Sequence, residues 1–191
     1  GRYGRMAIAH NGNIVNAASI KNWLIDRGHI FQSSVDSEVV AALINYYTTS
    51  SVEGGVQKAC LDFVGAFAIV CMADGKLIAV RDKYGLKPLV MGKKDGAVIF
   101  ASESCALDAV DAEFVRDVEP GEMIIVTADG KISSHKYAVP SPHPCVFEYV
   151  YLARSDSVID NVSVYEARYN CGKELAKLYK IDADIVAGVP D

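Results

Sequence analysis

Ala7-Ile8-Ala9-His10-Asn11-Gly12-Asn13-Ile14-Val15-Asn16 is the stretch on which the fold of this chain turns. The short apolar run Met6 to Ala9 reads as a buried strand. His10-Asn11-Gly12-Asn13 then reads as a turn, and Asn16 is placed to cap a helix opening at Ala17. On this reading Asn11 and Gly12 sit at the mouth of a strand, held by packed elements on both sides. The Asn11 amide can donate two hydrogen bonds, and nothing bulky shields the backbone N–H of Gly12. Two donors on one rigid turn can stabilise an oxyanion during acyl transfer. The same dipeptide is also an ordinary hairpin signal, because Asn-Gly favours positive φ.

Outward from that stretch, residues 16–27 read as a helix burying Ile20, Trp23 and Leu24, with Gly28 as its stop. A second helix opens at Ser33-Ser34-Val35-Asp36-Ser37-Glu38, with Ser34, Asp36 or Ser37 as its cap, and buries Val39, Leu43 and Tyr46 on the way to Tyr47. Asp36 has two readings, a helix cap or a carboxylate that pairs with the α-ammonium of a bound amino acid. A third helix spans about 52–62 with Val56, Cys60 and Phe63 on one face, weakened by Gly54 and Gly55.

From residue 65 the period becomes that of strands. Hairpins pair 65–72 with 77–81 across Asp74-Gly75, 89–92 with 97–101 across Asp95-Gly96, and 122–127 with 131–137 across Asp129-Gly130. A helical turn covers 103–110. Helices followed by hairpins imply an α+β fold with helices packed on antiparallel sheet, not βαβ repetition. Within Arg81-Asp82-Lys83-Tyr84-Gly85-Leu86-Lys87-Pro88-Leu89, an Arg–Asp contact is expected to pin the loop. Pro140, Pro142 and Pro144 mark a linker over 139–144. Beyond it, 146–152 reads as extended, 163–179 as a helix and 182–189 as a buried strand, the opening of an α/β unit.

The chain has 191 residues, 51% hydrophobic and 23% charged, with a net charge of −5. No Lys/Arg block suggests a nucleic-acid surface. No apolar run approaches the roughly 20 residues that span a bilayer, so neither nucleic acid nor membrane is an expected partner. The five cysteines, Cys60, Cys71, Cys105, Cys145 and Cys171, form no CxxC, which points to a reducing, cytoplasmic setting. Because the chain opens and closes on apparent core strands, an internal fragment of a longer protein is the expectation.

The order of the His10-Asn11-Gly12, Val35-Asp36-Ser37-Glu38 and Arg81–Leu89 motifs resembles the glutaminase domain of class II glutamine amidotransferases, N-terminal-nucleophile hydrolases. Cys145 to Ser157 is similar to the inter-domain segment of the amidophosphoribosyltransferase family within that group. The chain departs from the family pattern at Lys83, Lys87 and Ser155.

The resemblance implies part of an αββα sandwich over 1–138, then the start of a phosphoribosyltransferase domain over 145–191. It implies that Asn11 and Gly12 hold the oxyanion of glutamine hydrolysis and that Asp36 holds the amino group of glutamine. The nucleophile would be an N-terminal cysteine upstream of Gly1, so these residues alone are expected to release no ammonia. Ammonia would displace pyrophosphate from phosphoribosylpyrophosphate in a second, Mg²⁺-dependent half of a homo-oligomeric enzyme. Cys145 matches a [4Fe-4S] ligand in some members and a plain cysteine in others. Asparagine synthetase, glucosamine-6-phosphate synthase or a non-catalytic module of the same fold share some of these signals.

Overall fold

The computed structural model describes residues 4–188. The elements are β1 (Met6–Ile14), α1 (Ala17–Ile25), α2 (Asp36–Tyr47), α3 (Val52–Asp62), β2 (Gly65–Ala73), β3 (Lys76–Arg81), β4 (Val90–Lys94) and β5 (Ala97–Ala101). Then follow α4 (Ser104–Asp108), β6 (Glu113–Asp117), β7 (Glu122–Thr127), β8 (Ile132–Lys136), β9 (Val158–Ile159), β10 (Val162–Ser163) and α5 (Val164–Leu178). A single turn of π-helix, Glu148–Leu152, precedes β9.

Strands β1-β2-β3-β7-β8 form one antiparallel sheet and β5-β4-β6 a second. Two-residue turns set the tight hairpins. Asp74 and Gly75 (φ 52 and 67) and Asp95 and Gly96 (φ 49 and 80) take the left-handed conformations that match strand twist. Alternation along each strand then sorts the layers. Ile69, Ile78 and Val80 face helices α1–α3, where Leu24, Leu43, Ile44 and Val56 cover them. Ala68, Ala79 and Ile124 face the other way, onto Leu89, Met91 and Val118 of the smaller sheet. Leu107 of α4 covers the outer side of that sheet at Val90 and Ala112. The order is αββα, with α4 as a thin fourth layer.

Several elements differ from the sequence reading. His10 to Asn13 is not a turn, because β1 continues unbroken to Ile14. Its exposure alternates, so Met6 to Ala9 is half-buried. Asn16 does not cap α1; its amide donates to Asp62 O (2.8 Å) and its Oδ1 accepts from Val64 N (2.9 Å), tying the helix start to the α3–β2 loop. The N-cap of α2 is Val35, with no side-chain cap, and Tyr46 is exposed against the edge of Trp23. Gly55 is a packing requirement: a Cβ there would lie 2.1 Å from Thr48 Oγ1. Strand β6 went unread because its side chains are mostly exposed and charged. Residues 146–152 are helical, not extended. No strand forms over 182–188, and Ile185 and Val186 are exposed; residues 189–191 of that expected strand lie outside the described residues.

The largest surprise is Arg81, only 1% exposed. Its five donors are all used. Nε donates to Lys87 O (2.8 Å). Nη1 donates to Val118 O (2.9 Å) and Asp160 Oδ1 (2.8 Å), and Nη2 to Gly85 O (3.0 Å) and Asp160 Oδ2 (3.0 Å). Its carboxylate partner is thus Asp160, not the neighbouring Asp82. Asp160 and Asn161 (φ 47 and 66) make the left-handed turn of the β9–β10 hairpin. The 139–144 segment is strapped to the same loop, through Ser141 N to Lys83 O (2.8 Å) and His143 N to Tyr84 O (2.8 Å). Lys87 Nζ completes the strap on Glu148 Oε1 (2.8 Å).

Asp160→Asn keeps the turn, since Asn tolerates left-handed φ, but removes the charge opposite Arg81. Breaking a fully buried pair costs about 3–5 kcal/mol. Asp160 is 37% exposed on its side chain, so a smaller loss, roughly 2 kcal/mol, is expected by urea denaturation. A loss below about 0.5 kcal/mol would mean the pair does not hold the segment.

Candidate active site

The site is built on the free edge of β1. Asn11 pairs with Ala68 and Gly12 with Phe67 in an unbroken antiparallel register. Val15 N donates to Val64 O (2.7 Å), whereas Ile14 N points away from β2 and donates to Asp36 Oδ2 (3.2 Å). Backbone groups alternate along a strand. The N–H of Gly12, two residues before Ile14, is therefore directed to the same open edge.

Gly12 has φ 139, an extended conformation outside the range of L side chains, and a Cβ there would lie 2.0 Å from Ala66 O. Gly65 on the partner strand mirrors it, with φ 135 and a Cβ that would lie 2.2 Å from Asn13 O. The positive φ expected for Asn-Gly is present, but it serves close approach of two strands and not a turn.

Asn11 points to the opposite face from His10. It lines a cavity of about 270 Å³ between the two sheets, with Ala68, Val70, Leu89, Phe100 and Ser102. Asp36, the first residue of α2, lies at the β1 edge beside Ile14. Gly12 and Asp36 thus share one edge, and Asn11 opens onto the adjoining inter-sheet space; no hydrogen bond joins Asn11 to Asp36 among the described residues. Glu38 fixes the approach to α2, accepting from Gln32 N (2.8 Å) and Ser33 N (2.7 Å).

Two further residues belong here: His10, which the sequence reading did not single out, and Asp82, which it read as the partner of Arg81. His10, 2% exposed on its side chain, places Nδ1 3.1 Å from Ser37 Oγ and 3.8 Å from Asp36 Oδ1. Burial pushes its pKa below 6.5, against the pull of the Asp36 carboxylate. Asp82, buried behind the site, accepts from Phe67 N (3.2 Å), opposite Gly12, and from Tyr84 N (2.8 Å). Burial raises its pKa, opposed by those amides.

Cys145 is half-buried near Arg81 and Glu148. Among the described residues no group of three or more His, Cys, Asp or Glu is arranged to hold a metal. A lone thiol does not fit a cluster by itself, so these residues do not make up a [4Fe-4S] site. No helix among them is long and apolar enough to cross a membrane.

The described residues thus form two facing antiparallel sheets between helical layers, with a backbone amide directed to one open strand edge. Residues 2–109 match the glutamine amidotransferase domain family, and the chain belongs to it. Among its relatives, the amidophosphoribosyltransferase of Methanocaldococcus jannaschii is 44% identical over 99% of this chain and 44% of its own length. That of Bacillus subtilis is 41% identical over 98% and 40%. A solved glutamine phosphoribosylpyrophosphate amidotransferase from B. subtilis, complexed with ADP and GMP, superposes with a TM-score of 0.93 at 40% identity, covering 100% of this chain and 42% of that one. The chain therefore spans about two fifths of the length of these relatives.

Two outcomes follow from the site geometry. Gly12→Ala forces a side chain into the Ala66 carbonyl and should cost roughly 3 kcal/mol by denaturant titration, from strain and overlap combined. Near-normal stability would mean that β1 and β2 are not so closely apposed. For His10, the unfolded state takes up a proton near pH 6.5 while the folded state resists it. The stabilising contribution is whole above pH 6.5 and is lost as pH falls through the folded pKa. The wild-type Tm should therefore drop more steeply than that of His10→Asn between pH 7 and pH 5; parallel slopes would contradict the buried neutral imidazole.

Proposed function

We propose that the whole protein is an amidophosphoribosyltransferase. It hydrolyses glutamine to glutamate and ammonia. The ammonia then displaces pyrophosphate from phosphoribosylpyrophosphate, giving 5-phosphoribosylamine at the start of purine synthesis. The observation that carries this reading is the convergence of Gly12 N–H and Asp36 on the open edge of β1, with Asn11 entering the adjoining cavity.

Asn11 and Gly12 donate to the oxyanion that forms on the glutamine side-chain carbonyl. Asp36 pairs with the substrate ammonium. The nucleophile is an N-terminal cysteine, as the family resemblance implies, whose own α-amine takes its proton. Residues 1–138 are assigned to the C-terminal part of the glutaminase domain, 139–144 to a linker and 145–191 to the start of the phosphoribosyltransferase domain. Mg²⁺ would neutralise pyrophosphate in that second half. If a [4Fe-4S] cluster is bound, Cys145 contributes one thiolate and the other ligands come from elsewhere in the whole protein. A homo-oligomer in the cytoplasm completes the assignment.

The test is ammonia release from glutamine by the full-length protein, with and without phosphoribosylpyrophosphate. Release that rises with phosphoribosylpyrophosphate, together with pyrophosphate formation, supports the assignment; release indifferent to it contradicts the acceptor. Asn11→Ala should lower kcat/KM for glutamine by about 10²–10³, the effect of one lost oxyanion donor. A change within about twofold would remove Asn11 from that role.

A further inference from the structure

His10 is a polar residue placed where an apolar one would cost less. Met6, Ile8 and Ile14, at the same alternation on β1, belong to or pack against the core under the helices. His10 shares that face, yet its ring is anchored at one nitrogen only. Nδ1 meets Ser37 Oγ (3.1 Å) and lies 3.8 Å from Asp36 Oδ1. Nε2 is buried and has no hydrogen-bond partner among the described residues. A buried, unsatisfied nitrogen destabilises a fold, and leucine at this position would avoid it. What the imidazole contributes therefore lies at Nδ1.

Nδ1 touches the first turn of α2, which carries Asp36 and has no side-chain cap of its own. Glu38 ties that turn to the loop before it, through Gln32 N and Ser33 N, and further contacts fix it against β1. Two exist: Ile14 N to Asp36 Oδ2 (3.2 Å) and His10 Nδ1 to Ser37 Oγ. They hold adjacent helical residues to one strand edge, two and four residues apart along it from Gly12 and each other. Together they fix the Asp36 carboxylate beside the edge to which the Gly12 N–H points.

We propose that His10, acting through Ser37, is a positioning residue that holds the Asp36 carboxylate in register with the amide donors of β1, and so sets glutamine affinity. The inference rests on the amidotransferase reading for its kinetic part and on the structure alone for its geometric part.

Both parts are tested in the full-length protein with His10→Leu, His10→Asn and Ser37→Ala. Asparagine can place its amide close to the position of Nδ1 and keep the bond to Ser37; leucine cannot. In His10→Leu and Ser37→Ala the amide of Ile14 should exchange with solvent about tenfold faster, because its Asp36 acceptor is released. His10→Asn should stay near wild type. Unchanged Ile14 exchange in His10→Leu overturns the clamp, whatever the enzyme's activity.

In kinetics, His10→Leu should raise KM for glutamine about tenfold, as the Asp36 carboxylate loses its alignment with the substrate ammonium, with kcat changed by less than about twofold. The reaction with added ammonia in place of glutamine should be unaffected, and His10→Asn should restore KM. A fall in the ammonia-dependent rate, or a lost kcat at constant KM, overturns the positioning role. A wild-type protein that releases no ammonia from glutamine would fail the functional assignment instead, and the exchange measurement would still decide the clamp.

Discussion

A buried guanidinium ties the two ends of this structure together. A guanidinium has five N–H donors and no acceptor, so the place of Arg81 in the interior requires a full set of acceptors. Three are backbone carbonyls of its own surroundings, and the carboxylate comes from Asp160, far along the chain. The residue after it, Asp82, hydrogen-bonds Phe67, which pairs with Gly12. One short stretch therefore touches the segment after the linker on one side and, on the other, the β2 residue that pairs with the candidate oxyanion strand. Lys87 and Glu148 add a second ion pair across the same seam. Buried pairs add little net stability over apolar packing, but breaking one is costly. The consequence is fixed placement of the 145–164 segment against the loop at 81–89.

The edge of β1 works by a different constraint. Gly12 and Gly65 let two backbones approach more closely than any side chain permits. Rigid pairing to β2 and an outward amide follow together, and both are needed for a donor that must not reorganise as charge develops. The carboxylate at that edge is supplied by the helical layer, and the side-chain donor opens toward the second sheet. The candidate site therefore lies where an edge of one sheet, a helix start and the inter-sheet space meet.

Much of this was legible in sequence, and the failures have physical causes. Asp74-Gly75 and Asp95-Gly96 announced their hairpins, because left-handed φ at two successive residues has few other uses. Asn11-Gly12 carries the same signal and misled: here positive φ serves a close strand approach. A period-two reading would have placed Met6, Ile8, His10, Gly12 and Ile14 on one face and singled out His10 as the polar member. Asp36 was legible as the start of a helix, although that helix is capped by no side chain. The Arg81–Asp160 pair was not, since no local pattern joins residues so far apart in sequence. The apolar run at 182–188 promised a strand, but a strand needs a neighbour, and none of the described residues provides one.

The most direct test is a crystal structure of the full-length protein with glutamate, the hydrolysis product, bound. The expected result places one side-chain carboxylate oxygen about 2.7–3.1 Å from both Asn11 Nδ2 and Gly12 N, with the ammonium group on Asp36. Glutamate bound elsewhere, or at this edge with both amides beyond about 4 Å, would contradict the assignment of the β1 edge as the site of chemistry.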